Sequence, residues 1–456
     1  MIPVALEPFL EKAPCSVLAR VALHNLFDPE RLDRLFASVA ETQYHRTLFF
    51  SDVLHLMLTV VLRTKASVYA AYRQAALGVS HQAVYDKLNR LDDRVTEALV
   101  ADSAEQVRAT RAALGVAGTE PVPGLRARIV DGNRLSKTER RIKPLRSHWA
   151  RGLPGLCLAV YEPGVDLVTH VVLERDGHAS ERSRLEAILD LVKPGDLWIA
   201  DSNFCTHETF ARIRDAGGYF LIRHNAAMKG GETQPRRQIG RTQNGTVYEQ
   251  AFPLGGPNAG EVIRRLTLVL DTPTRDGHTE IHVLTNVPAE RADALCLLEA
   301  YRDRWTIEHR FYEVAQTLAA EPQTLGYPPA ALFAFGLGLV ASNALALIRA
   351  ALTAAHSAEA VATMSAHYLA EEIRETDRGL MIAIPTDIWT TLRVATPDRL
   401  APLLQAIAAR VNLARYTKAT RGPKKPSPKK SPFQNGLNLS NQRLLDEQKR
   451  KAIRRH

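Results

Sequence analysis

The spacing of apolar residues changes character several times along the chain, and each change predicts a different kind of element. Phe50 to Arg63 repeats its apolar positions at three and four, which predicts a helix, with Ser51 as its N-cap. The next stretch, SVYAAYRQAALGVSHQAVYDKLNRL, divides at Leu77-Gly78-Val79 into two helices. Ser80 would cap the second, and His81, Gln82, Tyr85, Lys87 and Asn89 would give it a polar reach. Helix, glycine turn, helix fits a helix-turn-helix whose second helix enters a major groove, and equally two core helices joined by a short turn. Asp92 to Leu114 continues helical, and Gly115 to Gly124, with two prolines, reads as a linker.

From Leu125 the pattern becomes strand-like. Leu125 to Val130 predicts a buried strand ending at Asp131, with Gly132 permitting a tight turn just after the acid. Leu156 to Tyr161 and Leu167 to Leu173 make two more strands around a hairpin at Glu162-Pro163-Gly164. A helix over Glu181 to Val192 stops at Pro194-Gly195, and Leu197 to Ala200 opens a fourth strand that ends at Asp201. A helix over His207 to Ala216 and a fifth strand, Tyr219 to Arg223, follow. Each aspartate alone fits a turn residue. Together, at the ends of first and fourth strands that can be neighbours in an open α/β sheet, they would face one cleft. Between Asn225 and Val287, the runs Thr246 to Phe252, Val262 to Leu270 and Ile281 to Thr285 predict a β-rich insertion. The preceding Met228 to Arg241 reads as a basic loop, either near DNA or merely solvated.

Leu295 to Leu318 has no Pro or Gly and predicts a single helix. Ile307, Phe311, Val314 and Leu318 form its buried stripe, while Tyr301, Arg304 and Glu308 share another face. A carboxylate that can hold a divalent cation, beside an Arg and a Tyr that can hold phosphate oxygens, suits a phosphate–metal site; the plain alternative is a surface face with one ion pair. Ala330 to Ile348 carries no charge over 19 positions. Length permits a membrane span, but Gly336, Gly338, Ser342 and Asn343 interrupt it, so a buried core helix and no membrane partner are expected. Ser357 to Leu413 reads as helical with a break at Pro385.

Charge changes the picture more than bulk composition does. The net charge is +10, and Lys418 to His456 accounts for all of it, with 12 Lys/Arg against Asp446 and Glu447; the remainder balances at 47 basic and 47 acidic residues. A basic tail favours a polyanion such as DNA, or else is a solubilising end. Its Pro/Lys-rich stretch, Arg421 to Pro432, should be extended. The four cysteines are scattered with no CxxC pair, which fits a reducing compartment and argues against a zinc or disulfide scaffold. The N-terminal residues carry no basic segment followed by an apolar core, so no secretion signal is expected.

The run YRDRWTIEHRF resembles the Y-R-E-K signature of bacterial insertion-sequence transposases of the group numbered four, usually Y-R-x-R-W-x-I-E-x-x-F. Tyr301, Arg304 and Glu308 stand at its Tyr, Arg and Glu, and its Lys falls at Ala315, which removes an expected phosphate contact. VDGNRL and IADSNF are similar to the family's first and second acid contexts, with Ser202 where an Arg is usual. The resemblance covers mainly residues 125–223 and 285–325. It implies an RNase H-like core in which Asp131, Asp201 and Glu308 are catalytic and hold two Mg2+ (or Mn2+) ions, roughly 3.5–4 Å apart. Tyr301 and Arg304 would orient phosphates near the cut. The implied partners are double-stranded DNA, as terminal inverted repeats and as target, and a second copy of the chain on paired ends. The implied location is the bacterial cytoplasm, at the nucleoid. Further DNA contacts are expected from Lys87, Arg236, Arg237, Lys424 and Lys425.

The expected architecture is therefore α/β: an RNase H-like core with a β-rich insertion, a helical N-terminal DNA-binding domain and a helical C-terminal region. Residues 1–120 would form the first domain and 121–350 the catalytic domain, with the insertion at about 225–287; 351–417 and the tail 418–456 follow. The expected function is cut-and-paste DNA transposition. The alternatives are a metal-dependent nuclease that cuts without joining, and a regulator that binds DNA without cutting, which the loss of the signature Lys favours.

Overall fold

Four of the helices in the first 113 residues begin where a small polar side chain accepts an otherwise unpaired backbone N–H group. The elements are α1 (Glu7–Lys12), α2 (Pro14–Leu26), α3 (Pro29–Val39), α4 (Phe50–Val61), α5 (Val68–Tyr72), α6 (His81–Asn89) and α7 (Asp93–Ala113). Asp28 caps α3, Ser67 caps α5, Ser80 caps α6 and Asp92 caps α7. Ser51 does not cap α4 as its sequence suggests. Asp33 on α3 takes its hydroxyl at 2.7 Å and its N–H at 2.9 Å, and the helix starts one residue earlier, with Asp52 accepting from the N–H of Phe49. The predicted helix, glycine turn and helix are present, the first helix with only 5 residues; Gly78 turns at φ +65°, and the Tyr72 hydroxyl donates to the Val79 carbonyl at 2.7 Å.

Nine strands of the described residues form one sheet: β1 (Arg126–Arg134), β2 (Leu156–Glu162), β3 (Leu167–Glu174), β4 (Asp196–Ala200), β5 (Tyr219–Arg223), β6 (Arg237–Thr242), β7 (Gly245–Pro253), β8 (Val262–Leu270) and β9 (Glu280–Thr285), in the order β3-β2-β1-β4-β5-β9-β8-β7-β6. The first five make the RNase H-like half: β1, β2 and β3 are antiparallel, and β4 and β5 run parallel to β1. β9 pairs antiparallel with β5, so the insertion lengthens the same sheet. Part of the expected basic loop is in fact strand β6, paired with β7, because residues 237–242 find free ladder groups on the edge of that hairpin.

One face of the first five strands carries Ile129, Ala159, Ile199 and Leu221 into the core shared with the helices. The other carries Val130, Leu158, Trp198 and Phe220 onto α8 (Leu185–Leu189) and α9 (His207–Asp215). The helix expected over 181–192 is a tight 3-10 turn at Glu181–Arg184 followed by the short α8. Arg182 and Arg184 are tied there to the Asn203 carbonyl and the Glu174 carboxylate, which bends the segment onto its neighbours.

Beyond the sheet lie α10 (Ala294–Arg302), α11 (Trp305–Gln316), α12 (Pro328–Ala355), α13 (Ala358–Ala362), α14 (Ala366–Ala383), α15 (Thr386–Thr391) and α16 (Pro397–Ala408). The apolar α12 is the central helix, with its membrane-length window wholly buried inside the protein. Asn343 on it accepts from the Val168 N–H at 3.0 Å and donates to the Val168 carbonyl and the Ser103 hydroxyl, while Glu97 on α7 accepts from the Leu173 N–H. These side chains cover the outer edge of β3 where another strand would otherwise pair. α14 and α16 pack on α2, and α16 also packs on α7 and α12, so the C-terminal helices close the helical side.

The computed structural model of the protein describes residues 2–41, 47–138, 142–143, 152–230, 234–274, 277–394 and 396–418. Residues up to Tyr416 form one compact unit and Thr417–His456 a second. Most of the basic tail, including Lys424 and Lys425, lies outside the described residues.

Candidate active site

The two aspartates arrive from adjacent parallel strands. Asp131 stands within β1 opposite Ala159, and the strand continues to Arg134, so neither the expected strand end at 131 nor a turn at Gly132 exists. Pairing with β2 carries the ladder past the acid, and Glu181 packs where a side chain on Gly132 would go, 2.5 Å from an ideal Cβ. Asp201 does lie just past its strand. It caps the 3-10 turn Ser202–Phe204 and accepts from the Asn203 N–H at 2.8 Å.

The third group comes from the segment predicted as one helix, which is two. Between α10 and α11 the chain tightens for a turn: the N–H groups of Asp303, Arg304, Thr306 and Ile307 donate to the carbonyls of Ala300, Tyr301, Asp303 and Arg304. Bonds spaced by three bring side chains three apart into register, which sets Tyr301 over Arg304. Arg304 is buried and forks between two acids, with Nη1 donating to Asp131 Oδ2 at 2.8 Å and Nη2 to Glu308 Oε1 at 2.7 Å. The predicted stripe of Ile307, Phe311, Val314 and Leu318 is buried and fixes the face that Glu308 presents.

The electrostatics describe a crowded set of acids. Burial pushes the Asp131 carboxyl up to about 7; Arg304 opposes this, and the negative charges of Asp201 and Glu308 add to it. Tyr301 is pushed up to about 12, mainly by burial, with Arg304 and Arg223 opposing and Asp201 raising. Asp131 is thus held toward its protonated form first by desolvation, with the two neighbouring carboxylates adding to it. Three carboxylates are also the hard oxygen donors that Mg2+ or Mn2+ prefers. Among the described residues no three acidic, His or Cys side chains are gathered around a single ion position. The Arg304 guanidinium instead supplies the positive charge between Asp131 and Glu308, and Glu308, 42% exposed, is the carboxylate with room to move.

Sequence reasoning missed two acids beside this group. Glu181 accepts from Asn203 Nδ2 at 2.8 Å, between Gly132 and the Asp201 turn. Glu321 accepts from Asn133 Nδ2 at 3.2 Å and from the Ser136 N–H at 2.9 Å, fastening the end of β1. Neither stands in a sequence pattern that marks it. Other expected contacts lie apart from the carboxylates. Lys87 turns inward, its ammonium on the Leu48 carbonyl and over the Phe36 ring, so its predicted reach toward DNA is spent inside the helical region. Arg236 pairs with Glu280 at 2.9 Å and lies over Tyr248, and Arg237 is exposed on β6. Ala315 lines a cavity with Lys65 and Ser136.

No curated protein matches the chain. Among solved structures, the chain is similar to the piggyBac transposase in a cryo-EM synaptic complex with hairpin DNA, at 9% identity over 92% of this chain and 89% of that one, with a TM-score of 0.40. Residues 123–342, a little under half of the chain, match the family model described as "Transposase DDE domain". That match supports a DDE transposase, with the matched domain running from just before β1 to the middle of α12 and containing Asp131, Asp201 and Glu308.

Proposed function

We propose that the chain is a DNA transposase of the insertion-sequence type, with Asp131, Asp201 and Glu308 as its catalytic carboxylates. The observation that carries this is the placement of the three acids: Asp131 on β1, Asp201 just past the neighbouring parallel strand β4, and Glu308 joined to Asp131 through Arg304. The three carboxylates would hold Mg2+, with Mn2+ as a substitute. When bound, the metal supplies Lewis-acid stabilisation of the phosphodiester and lowers the pKa of the attacking hydroxyl. Asp131 would hold the metal as a carboxylate, its proton released to water. Arg304, released from its two carboxylates, turns to the phosphate oxygens, and the Tyr301 hydroxyl beside it orients them.

The reaction has two steps. Water adds across a P–O3′ bond at the element's end and frees a 3′-hydroxyl. That hydroxyl then attacks a target phosphodiester in line and displaces a new 3′-oxygen. One phosphodiester is exchanged for another, so joining needs no external energy source. The substrates would be terminal inverted repeats and target DNA, held by a homodimer on paired ends in the bacterial cytoplasm. Arg237, exposed on β6, would meet backbone phosphate.

The test is cleavage and joining of a supercoiled plasmid with a linear fragment bearing the element's ends, in Mg2+ and in EDTA, for the wild type and Glu308→Ala. Joined products that need metal and vanish in the variant are expected. Cleavage without joining would assign a nuclease, and end binding without cleavage in any divalent metal would assign a regulator.

A further inference from the structure

Beyond the carboxylates, the elements that carry Asp131 and Glu308 lead to the same cavity, of about 460 Å³. That size lies within the range of ligand sites, about 300–1,000 Å³. Its walls include Arg63, Lys65, Ser136, Ala315, Ala319 and Glu321. Ser136 follows Asp131 along the β1 segment, and Ala315 lies two turns beyond Glu308 on the same face of α11, about 10 Å along the helix axis. In a duplex that is about three nucleotides of rise, at about 3.4 Å each.

Three features mark this cavity as a built site. First, it holds a lysine that the lining acid does not pair with: Lys65 and Glu321 both line it. Glu321 has both carboxylate oxygens engaged, by Asn133 and by the Ser136 N–H, and among the described residues no carboxylate pairs with the Lys65 ammonium. Second, the cation is held in place by its backbone. The Lys65 N–H and the Thr64 hydroxyl both donate to the Thr59 carbonyl, at 3.0 and 2.9 Å, folding the loop back on the end of α4. Third, backbone strain collects there. Arg63 at φ +59° and Ala319 at φ +44° are two of the three non-glycine residues with positive φ among those described, and both line the cavity. Such strain persists where surrounding structure enforces it, which is common at binding sites. The helix beneath Ala315 is also fixed: an ideal Cβ on Gly338 would stand 2.3 Å from Ala320 Cβ and 2.8 Å from Val314 Cγ1, so α12 presses directly on the end of α11.

We propose that this cavity is a second anion subsite, which takes a backbone phosphate of the DNA strand leading away from the carboxylates, with Lys65 as its cation. It rests on the transposase reading above. The small Ala315 leaves the space open from the α11 side, and the positive charge comes instead from the loop after α4, in the helical N-terminal region. A lysine ammonium suits this use as a point charge on a phosphate oxygen, and the Ser136 hydroxyl adds a neutral donor. Through this contact the N-terminal region would share in holding the strand on which the carboxylates act.

The test uses the full chain and a fluorescently labelled random-sequence DNA duplex, with affinity followed by anisotropy between about 50 and 200 mM salt. Loss of one phosphate contact makes the log–log salt slope shallower by about 0.9, so Lys65→Ala should show that change and bind about fivefold more weakly. Lys65→Arg should keep the wild-type slope. Ala315→Lys, which puts an ammonium into the same cavity from the opposite wall, should restore the slope of Lys65→Ala. Thermal unfolding of each variant checks that it is folded. A folded Lys65→Ala protein with the wild-type slope overturns the proposal, as does a loss that Lys65→Arg shares and Ala315→Lys leaves unrepaired. A wild-type chain that binds no DNA overturns the transposase reading itself, a result distinct from either.

Discussion

The two halves of the single sheet are built to different rules. In the RNase H-like half, β2 and β4 are buried along their whole length, one face against the helical core and the other against α8 and α9. In the insertion half, β6 is exposed or half-buried throughout, and Val262 on β8 is 65% exposed. Asp131 and Asp201 stand on the first half, with Glu308 brought to Asp131 from α11; exposed arginines, two of them paired with carboxylates, stand on the second. Cover on both faces fixes the backbone beneath Asp131 and Asp201 by packing, so that carboxylates which repel one another can be held together. The insertion half bears no such load and is free to present charge.

The largest effect should follow from a change on α11, beside the covered half, that leaves the packing alone. Glu308→Ala should lower metal-dependent plasmid nicking on the order of 10⁴-fold, the scale seen when a catalytic carboxylate is removed, with an unchanged melting curve. Next comes packing itself. Trp198→Ala, at a fully buried position of β4, should cost about 3–5 kcal/mol in urea unfolding, whereas Val262→Ala on β8 should stay within about 0.5 kcal/mol. Equal losses at the two positions would remove the distinction between the halves.

The same contrast explains how much was legible in the sequence. Strand β5 falls where its pattern places it, and the stripe from Ile307 to Leu318 is buried as its spacing requires, because burial writes a period into the residues. Where a tertiary partner decides, the period is silent. Asp131 lies inside β1 because the ladder with β2 runs past it, and no residue after Asp131 announces that. The tightened turn at Asp303–Arg304 contains neither Gly nor Pro; it serves the reach of Arg304 to an acid 173 residues away in sequence. Lys87 looked like a groove-facing residue, yet Leu48 and Phe36 claim it. Strand β6 hid in a basic stretch because an edge strand needs no apolar face. The candidate site was legible in its three acids, but not in Glu181 or Glu321, whose roles come only from what they touch.

A pH series sharpens the contrast at Asp131. Its folded pKa of about 7 lies above the ordinary aspartate value of 3.8, so between these values the folded state keeps a proton that the unfolded state has released. The slope of stability with pH is then negative: in metal-free buffer this group favours folding at the acid end, and that contribution is lost as pH rises from about 4 to about 7. Asp131→Asn should flatten this part of the melting-temperature profile; a profile with the same slope in the variant would place the proton elsewhere. The smallest effect belongs to the exposed half. Arg237→Ala should leave the melting temperature unchanged, weaken duplex binding about fivefold and make the salt slope shallower by about 0.9.

The central claim is that Asp131, Asp201 and Glu308 together hold a divalent cation. The most direct test is Mn2+ binding to the full chain, followed by the loss of the free-ion electron paramagnetic resonance signal, for the wild type, Asp201→Asn and Glu308→Gln. The account predicts that the wild type takes up Mn2+ and that either substitution weakens uptake strongly while the fold persists. Uptake equal in all three proteins would contradict it.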